Sequence, residues 1–561
     1  MNKDWSLLNK SEEIVIETID KVLKGLKKNK ARDPTGLANE LFKEGGIGTN
    51  LKESIVLFIN KVKEKVTIPE LAYLANITSI YKGKGEKSDL NNDRGIFTLT
   101  VLRMILDKVI YLEEYEKIDK NMSDSNAGAR KEKNCRNHSF IVNGILHDKK
   151  QRKGHPIDIL IYDVAKCFDE VWPADTINVL YDLGVQNSNL NILYEGTKRS
   201  YISIKTPAGQ TDRFEVEQLV AQGSTWGPLM TSASVDTIGK DAQETGRNCY
   251  TYKETLKIPP LSFVDDVAAV SLCGVDSIIT NATINEKMKC KKLRFGKTKC
   301  HQMHIGDQIN LCPSLTVNKD DEMEKVKEDT YLGTVVSDEC TNNKKLDKAI
   351  SKGIGSISAV MAILNETSLG NHYFEIADIL RESLFINRIL WNVETWYDVK
   401  KSEVEELEKI DRMLIKRILN VPVSTPSALL YLETGMIPLR YIIQARRLMF
   451  LRYILTRDEN DLLLKFLTVQ LREPAKNDWV ESVKNDLKEF GLNYLDLQDI
   501  KSMKKTTFKK LVKQKCDDLV LKYLIEGNEN MSKLKNLKYY ELKTQPYLLS
   551  SKTEEKIPLS F

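Results

Sequence analysis

Three carboxylates in two unlike frames carry the strongest chemical signal in this chain. Asp163 closes the run Ile157-Asp158-Ile159-Leu160-Ile161-Tyr162 and is followed by Val164-Ala165-Lys166-Cys167-Phe168-Asp169. Asp265 and Asp266 stand side by side within Pro259-Pro260-Leu261-Ser262-Phe263-Val264-Asp265-Asp266-Val267-Ala268-Ala269-Val270. β-Branched and aliphatic runs of this length read as buried strands. Apolar strands on both sides of a bare Asp-Asp suit a short hairpin that pushes both carboxylates out at its turn. Ionised carboxylates are costly to bury without partners. With no basic residue inside the Asp-Asp frame, a divalent cation is the ordinary partner, and two cations can clamp both ends of a phosphoryl displacement. A lone Asp-Asp would read as a solvated turn after a core strand. The two frames together favour metal-assisted chemistry on a phosphate.

Further segments fall into an order that resembles a known family. Tyr162 to Asp169 resembles the first catalytic block of reverse transcriptases, and Ala221-Gln222-Gly223-Ser224-Thr225-Trp226-Gly227-Pro228-Leu229 their Gln-Gly block. Phe263-Val264-Asp265-Asp266 stands where that family has an aromatic, any residue, then Asp-Asp. Phe295-Gly296-Lys297-Thr298-Lys299-Cys300 resembles the following lysine block, and Tyr331-Leu332-Gly333 the primer-gripping hairpin. Upstream, Ile80-Tyr81-Lys82-Gly83-Lys84-Gly85 and Asn91-Asn92-Asp93-Arg94-Gly95-Ile96 look like the fingers. The likeness runs over residues 20 to 400 and is closest to the reverse transcriptases of non-LTR (LINE-type) retrotransposons.

That resemblance implies an RNA-directed DNA polymerase acting on an RNA template, a DNA primer, the RNA–DNA hybrid and dNTPs. Asp163, Asp265 and Asp266, with the backbone carbonyl of Val164, would hold two Mg²⁺ ions, Mn²⁺ being a possible substitute; both are hard cations that take oxygen ligands. Phe168 would be the sugar gate, its ring leaving no room for a ribose 2′-hydroxyl. Gln222 and Gly223 would lie along the nascent base pair, the glycine allowing close backbone approach. Lys82 or Lys84, with the planar fork of Arg94, would hold the triphosphate. Lys299, or else Lys297, would stand near the pyrophosphate as general acid. The segment after Gln222-Gly223 departs from the Pro-Leu-Ser-Pro pattern of many relatives, and Cys167 replaces a common Ala or Ser, but neither removes a ligand. The family also implies an intracellular protein, made in the cytoplasm and acting in the nucleus.

The elements that must position these groups follow from pattern. At 561 residues the chain is too long for one core. Its 41% apolar and 29% charged residues describe a globular protein. No apolar run approaches the roughly 20 residues of a membrane span, and the nine cysteines lack regular spacing, which suits free thiols in a reducing compartment. Residues 11 to 28 carry Val15, Ile19, Val22, Leu23 and Leu26 at helical spacing, with Ser11 as a cap. Two more helices are expected before Pro69. Trp172-Pro173 opens a helix that Gly184 can close. Tyr201, Ser203 and Lys205 alternate with Ile202, Ile204 and Thr206, and with Phe214 to Gln218 they predict a hairpin. The expected fold is α+β: a right-hand polymerase whose antiparallel palm sheet is backed by helices, followed by an all-helical thumb and C-terminal region. The expected divisions are 1–74 (helical extension), 75–335 (fingers and palm), 336–400 (thumb or connection) and 401–561 (helical region). Residues 377 to 396 and 403 to 419 carry strong apolar stripes, and 440 to 456 form an amphipathic helix with Arg446, Arg447 and Arg452.

Although the net charge is only +5, the basic residues cluster. One group spans Lys21 to Arg32, a second Lys131 to Lys153, and a third Lys287 to Lys299. The last two flank the acidic frames and suggest a channel whose phosphate contacts supply affinity. Cys290, Cys300, His301, His304 and Cys312 match the spacing of no zinc finger or knuckle. No endonuclease block is visible, so a truncated element product is expected. Two other readings share these residues. One is an inactive or domesticated copy that only binds RNA. The other is a group II intron or retron-like enzyme, against which Leu432-Glu433-Thr434-Gly435 with Ile437-Pro438 resembles the non-LTR elements more.

Overall fold

The computed structural model describes residues 8–43, 48–83, 85–152, 154–206, 209–217, 220–221, 223–307, 312–366, 369–529, 542–545 and 548–549. Lys84 and Gln222, both expected at the site, lie outside them.

Two five-stranded sheets organise the first two-thirds of the chain. In the first, β1 (Leu74–Tyr81) pairs antiparallel with β2 (Asp93–Leu99) and parallel with β4 (Arg199–Thr206). β5 (Gly209–Gln210) and β6 (Phe214–Glu217) both pair back onto β4. In the second, β14 (Glu324–Lys325), β11 (His301–Ile305), β3 (Ile157–Asp163), β10 (Asp266–Leu272) and β9 (Leu261–Phe263) follow one another in that order. β3 is its central strand, buried from Ile157 to Tyr162. That double-sided burial explains its unbroken apolar run, which shows none of the alternation of a half-exposed strand. The remaining strands form two-stranded ribbons: β7 (Tyr250–Tyr252) with β8 (Leu256–Ile258), β12 (Thr316–Val317) with β13 (Asp321–Glu322), and β15 (Glu328–Tyr331) with β16 (Thr334–Ser337). The hairpin expected around Tyr201 and Phe214 is present, in register Ile202↔Phe214. It joins the finger strands instead of the palm sheet, because Leu74 to Thr78 offer β4 a parallel edge.

The palm sheet divides two large cores. Ile157, Ile159, Ile161, Ala268, Val270, Met303 and Ile305 face one of them, and Leu160, Tyr162, Val267 and Ala269 face the other. The second core takes in the N-terminal helices α1 (Ile16–Lys24) and α2 (Thr49–Lys65), then α3 (Val101–Asn121), α6 (Pro173–Asp182), α7 (Ser188–Lys198), α8 (Gly227–Thr245) and α9 (Val275–Cys290). The first holds α4 (Cys135–Arg152), which is buried from Asn137 through Asp148 between the sheet and the C-terminal helices. A one-turn α5 (Cys167–Glu170) follows β3. Beyond β16 come α10 (Asn343–Glu366), α11 (Tyr373–Leu380), α12 (Asn387–Ile389), α13 (Lys401–Leu419), α14 (Ser427–Thr434) and α15 (Leu439–Leu455). Four more follow: α16 (Leu462–Arg472), α17 (Trp479–Glu489), α18 (Leu497–Ser502) and α19 (Lys505–Glu529). Phe140 on α4 meets Trp479, Phe450 and Phe466 edge-on at 4.9, 5.5 and 5.7 Å. The C-terminal helices therefore share one core with the underside of the palm.

Three sequence expectations are corrected. Ser11 does not cap α1, which begins after an uncapped Val15; the Ser11 backbone N–H donates to Ser188 Oγ at 2.9 Å, Asn9 bridges Asn187 at the start of α7, and Ile14 bonds to Asn60 of α2. Among the described residues before Pro69 there is one further α-helix, α2, and a single 3₁₀ turn over Asn39–Phe42. The stripe at 377 to 396 is not one helix. A π-helical turn at Arg381–Ile386 interrupts it, where buried Arg381 grips Asp411 of α13 through two bonds of 2.8 Å.

Candidate active site

The strand register brings the carboxylates together. Asp266 pairs directly with Asp163 across β10 and β3, and with Phe263 across β10 and β9. Directly opposed residues have Cβ atoms about 4.5–5.5 Å apart, so two like charges share one strand end. Val264 and Asp265 form the turn between β9 and β10, and the Val164 N–H donates to the Asp265 carbonyl at 3.1 Å, tying the two acidic frames by their backbones. Val264 has φ +62°. A β-branched residue there stores on the order of 1–3 kcal/mol of strain, so the packing around the turn must hold it in place.

Electrostatics record the crowding. Burial pushes the Asp265 carboxyl up, with the Asp163 charge adding and Lys299 and Arg94 opposing. Asp266 is pushed up to about 7, first by burial and then by Asp265 and Asp163. Like-charged carboxylates in one pocket behave this way when no cation neutralises them. Lys299 Nζ reaches Asp163 at 2.8 and 3.1 Å, yet its side chain is 63% exposed, leaving it able to swing away. Lys297 is instead paired with Asp321 at 3.0 Å. Three carboxylates, all oxygen donors, fit Mg²⁺ or Mn²⁺ and not a thiophilic metal.

The other expected residues surround this point unequally. Arg94 is exposed on β2 and its charge acts on Asp265. Lys82 is also exposed, its N–H donating to the Asn92 carbonyl at 2.8 Å. Phe168 is half-buried on α5, just after Lys166 turns the chain with φ +44°. Gly223 has φ +110°, and a Cβ there would stand 2.9 Å from the Phe97 carbonyl of β2, so only glycine lets this loop lie against the finger strand. Tyr331, Leu332 and Gly333 sit at the tip of the β15–β16 hairpin, with Leu332 and Gly333 both at positive φ, as a two-residue type I′ turn requires. Trp391 Nε1 donates to the Leu332 carbonyl at 3.1 Å and braces that tip.

Two contributors carry no clear mark in the sequence. Residues 123 to 130 run beside β9: the Ala127 N–H donates to the Ser262 carbonyl at 3.0 Å, and the Ser262 N–H to the Ser125 carbonyl at 3.1 Å. Gly128 lies under the Val264–Asp265 turn, where a Cβ would come within 2.2 Å of the Val264 nitrogen. Arg130 fixes the segment through the carbonyls of Ser123 and Asn126 and the Asp119 carboxylate. The second is His138 on α4, fully buried. Its Nε2 meets the Ser125 carbonyl at 3.0 Å, so that nitrogen carries the proton and Nδ1 accepts from the Tyr331 hydroxyl at 2.9 Å. The ring also lies edge-on to Phe263. One neutral imidazole thus joins the β15–β16 hairpin to the acidic one. Only the run of small residues from Ser123 to Gly128, breaking off after a long helix, hints at either.

Most basic residues of the second and third groups are ion-paired within the chain. In the second group, Arg136 pairs with Glu394, Lys150 with Asp398, Arg152 with Asp148 and Glu473, and Lys133 with Asp461. In the third, Lys287, Lys291, Arg294, Lys297 and Lys299 pair with Asp241, Asp175, Glu170, Asp321 and Asp163. Arg446, Arg447 and Arg452 of α15 also bond within the chain: to Leu390 and Asn387, to Asp486, and to the Met503 carbonyl. Residue type and spacing show the charge but not its partners.

Against known protein families, residues 85–336 match the model described as reverse transcriptase (RNA-dependent DNA polymerase). The match takes in Arg94, the three carboxylates, the Gln-Gly loop, Lys299 and the Tyr331 hairpin, and begins just after Lys82 and Lys84.

Proposed function

We propose that this chain, whose reverse transcriptase domain makes it an RNA-directed DNA polymerase, is the polymerase of a non-LTR retrotransposon and joins dNTPs to a primer 3′-hydroxyl at Asp163, Asp265 and Asp266. The observation that carries the chemistry is the register that sets Asp266 opposite Asp163 beside Asp265, with a carboxyl pushed up to about 7 by burial and its neighbours. The non-LTR assignment rests on the order of the sequence blocks and on Leu432 to Pro438. Two Mg²⁺ ions bound there, with the Val164 carbonyl as a further ligand, would favour the 3′-alkoxide and offset charge on the departing pyrophosphate.

The chain's own groups supply the rest. Arg94, exposed on the fingers, with Lys82 or Lys84, binds the triphosphate, and the guanidinium can do so through two parallel bonds. Lys299, exposed and held only by its pair with Asp163, would swing to the leaving pyrophosphate and give it a proton. Phe168 lies under the sugar and excludes a 2′-hydroxyl. Gly223 lets the loop backbone approach the new base pair, and the Leu332–Gly333 tip holds the primer end.

Extension of a DNA primer on an RNA template with added Mg²⁺ or Mn²⁺ tests this reading. Wild-type protein should extend with dNTPs and lose activity on chelation, and Phe168→Val should accept rNTPs more readily while losing some overall activity. A protein that binds hybrid but extends nothing with either cation would favour the RNA-binding reading instead.

A further inference from the structure

The palm sheet has a second set of chemical groups at the strand ends remote from the catalytic carboxylates. Asp158 and Asp163 are five residues apart on β3, roughly 17 Å at the rise of a strand, and side chains at even and odd offsets point to opposite faces. Asp158 pairs in register with His304 on β11 and with Ser271 on β10. Its carboxylate is fully buried, takes the Ser277 hydroxyl, and meets His304 Nδ1 at 3.0 Å. Among the described residues no lysine or arginine pairs with it. The Cys312 thiol completes a group whose ligand atoms all lie within 4.8 Å of one another. Cys273, directly after β10, is pinned by its N–H on the Pro156 carbonyl at 2.9 Å. Its thiol is pushed up to about 12 by burial and then by the charge and hydrogen bond of Asp158, with Cys312 acting the same way.

These groups suit a cation. A buried carboxylate is costly without a positive partner, and Asp158 Oδ1 lies 3.0 Å from His304 Nδ1, close enough for one ion to join them. His304 is nine-tenths buried, and its Nε2 finds no hydrogen-bond partner among the described residues. The Cys312 sulfur receives a hydrogen bond from Gln302 Nε2 at 3.2 Å, and Lys325 Nζ reaches the Cys312 carbonyl at 3.1 Å; burial and then the Asp158 charge hold its thiol up.

We propose that Asp158, His304, Cys273 and Cys312 together bind one zinc ion, clasping the far ends of the three central palm strands. One oxygen, one nitrogen and two sulfurs make a donor set suited to this borderline-soft metal; Asp158, His304 and Cys312 are already grouped, and Cys273, two residues beyond the Asp158 partner Ser271 on β10, supplies the fourth donor. On binding, both thiols release their protons to solvent, so affinity rises with pH. Sequence spacing hides the site because its ligands come from four separate segments. Of the cysteines and histidines between 290 and 312, only His304 and Cys312 take part; Cys290 is exposed, Cys300 is buried near Asp163, and His301 pairs with Asp329.

The test is titration of the reduced, chelator-stripped full chain with Co²⁺, which reports sulfur ligands by thiolate-to-metal charge-transfer absorption. The carboxylate site, having no sulfur, is silent in this signal. The proposal expects a band that saturates at one equivalent, persists in excess Mg²⁺ and is bleached by Zn²⁺. Cys312→Ser and Cys273→Ser should abolish it, Cys290→Ser should keep it, and Gln302→Ala should weaken binding by roughly 10-fold. The wild-type titration decides even if the variants fail to fold. No band in the reduced wild-type chain overturns the site, as does a band that survives both cysteine changes. A Cys273–Cys312 disulfide in unreduced protein, with no metal uptake after reduction, also overturns it.

Discussion

Asp163, Asp265 and Asp266 stand out in the sequence because their meaning is local. A strand that ends in Asp and a hairpin that turns on Asp-Asp each display a carboxylate wherever the strands pair. His138 does not stand out, since its role lies in two partners far away in sequence, Ser125 and Tyr331. Burial lowers this histidine to about 3, against an ordinary value near 6.5. Between those pH values the unfolded chain holds the proton and the native one does not, so stability falls as pH drops from 6.5 toward 3. The slope is about 1.4 kcal/mol per pH unit for the single proton. His138→Gln, which can still donate to Ser125 and accept from Tyr331, removes that share. Denaturant midpoints measured for both proteins across this range should show the variant less stable at neutral pH, with its deficit shrinking on acidification. Parallel curves would place the titration elsewhere.

At the scale of elements, the turn types and the strand alternation are legible in the sequence, and the pairing partners are not. The Tyr331-Leu332-Gly333 hairpin and the helix opened by Pro173 follow from turn and cap chemistry a few residues long. The placement of β4 beside β1 follows from a parallel contact across more than a hundred residues, which no local pattern encodes. The segment from 123 to 130 has neither helical nor strand periodicity, yet it braces the Val264–Asp265 turn along β9. Gly128→Ala tests that brace. Because the added methyl would strike the Val264 backbone, the variant should fold and bind hybrid but lose at least about 10-fold in the rate of nucleotide addition, consistent with misplacement of reacting groups. A variant with the wild-type rate would mean that the turn tolerates displacement.

For the whole molecule, the helical character of the C-terminal third is plain from its apolar stripes, but its attachment is not. Phe140, Tyr397, Phe450, Phe466 and Trp479 form one aromatic cluster between palm and tail, so the tail is packed into the same core as the palm. Deleting 401–561 should uncover α4 and give aggregated protein; a soluble truncated chain that still extends primers would refute this. The most direct measurement concerns the carboxylates: single-nucleotide addition to a DNA primer on an RNA template, alongside hybrid affinity, for wild type and Asp265→Asn. The account predicts loss of addition by several orders of magnitude with affinity changed by no more than a few fold, since the substitution removes cation charge and no phosphate contact. Addition retained near the wild-type rate would contradict a polymerase centre at Asp163, Asp265 and Asp266.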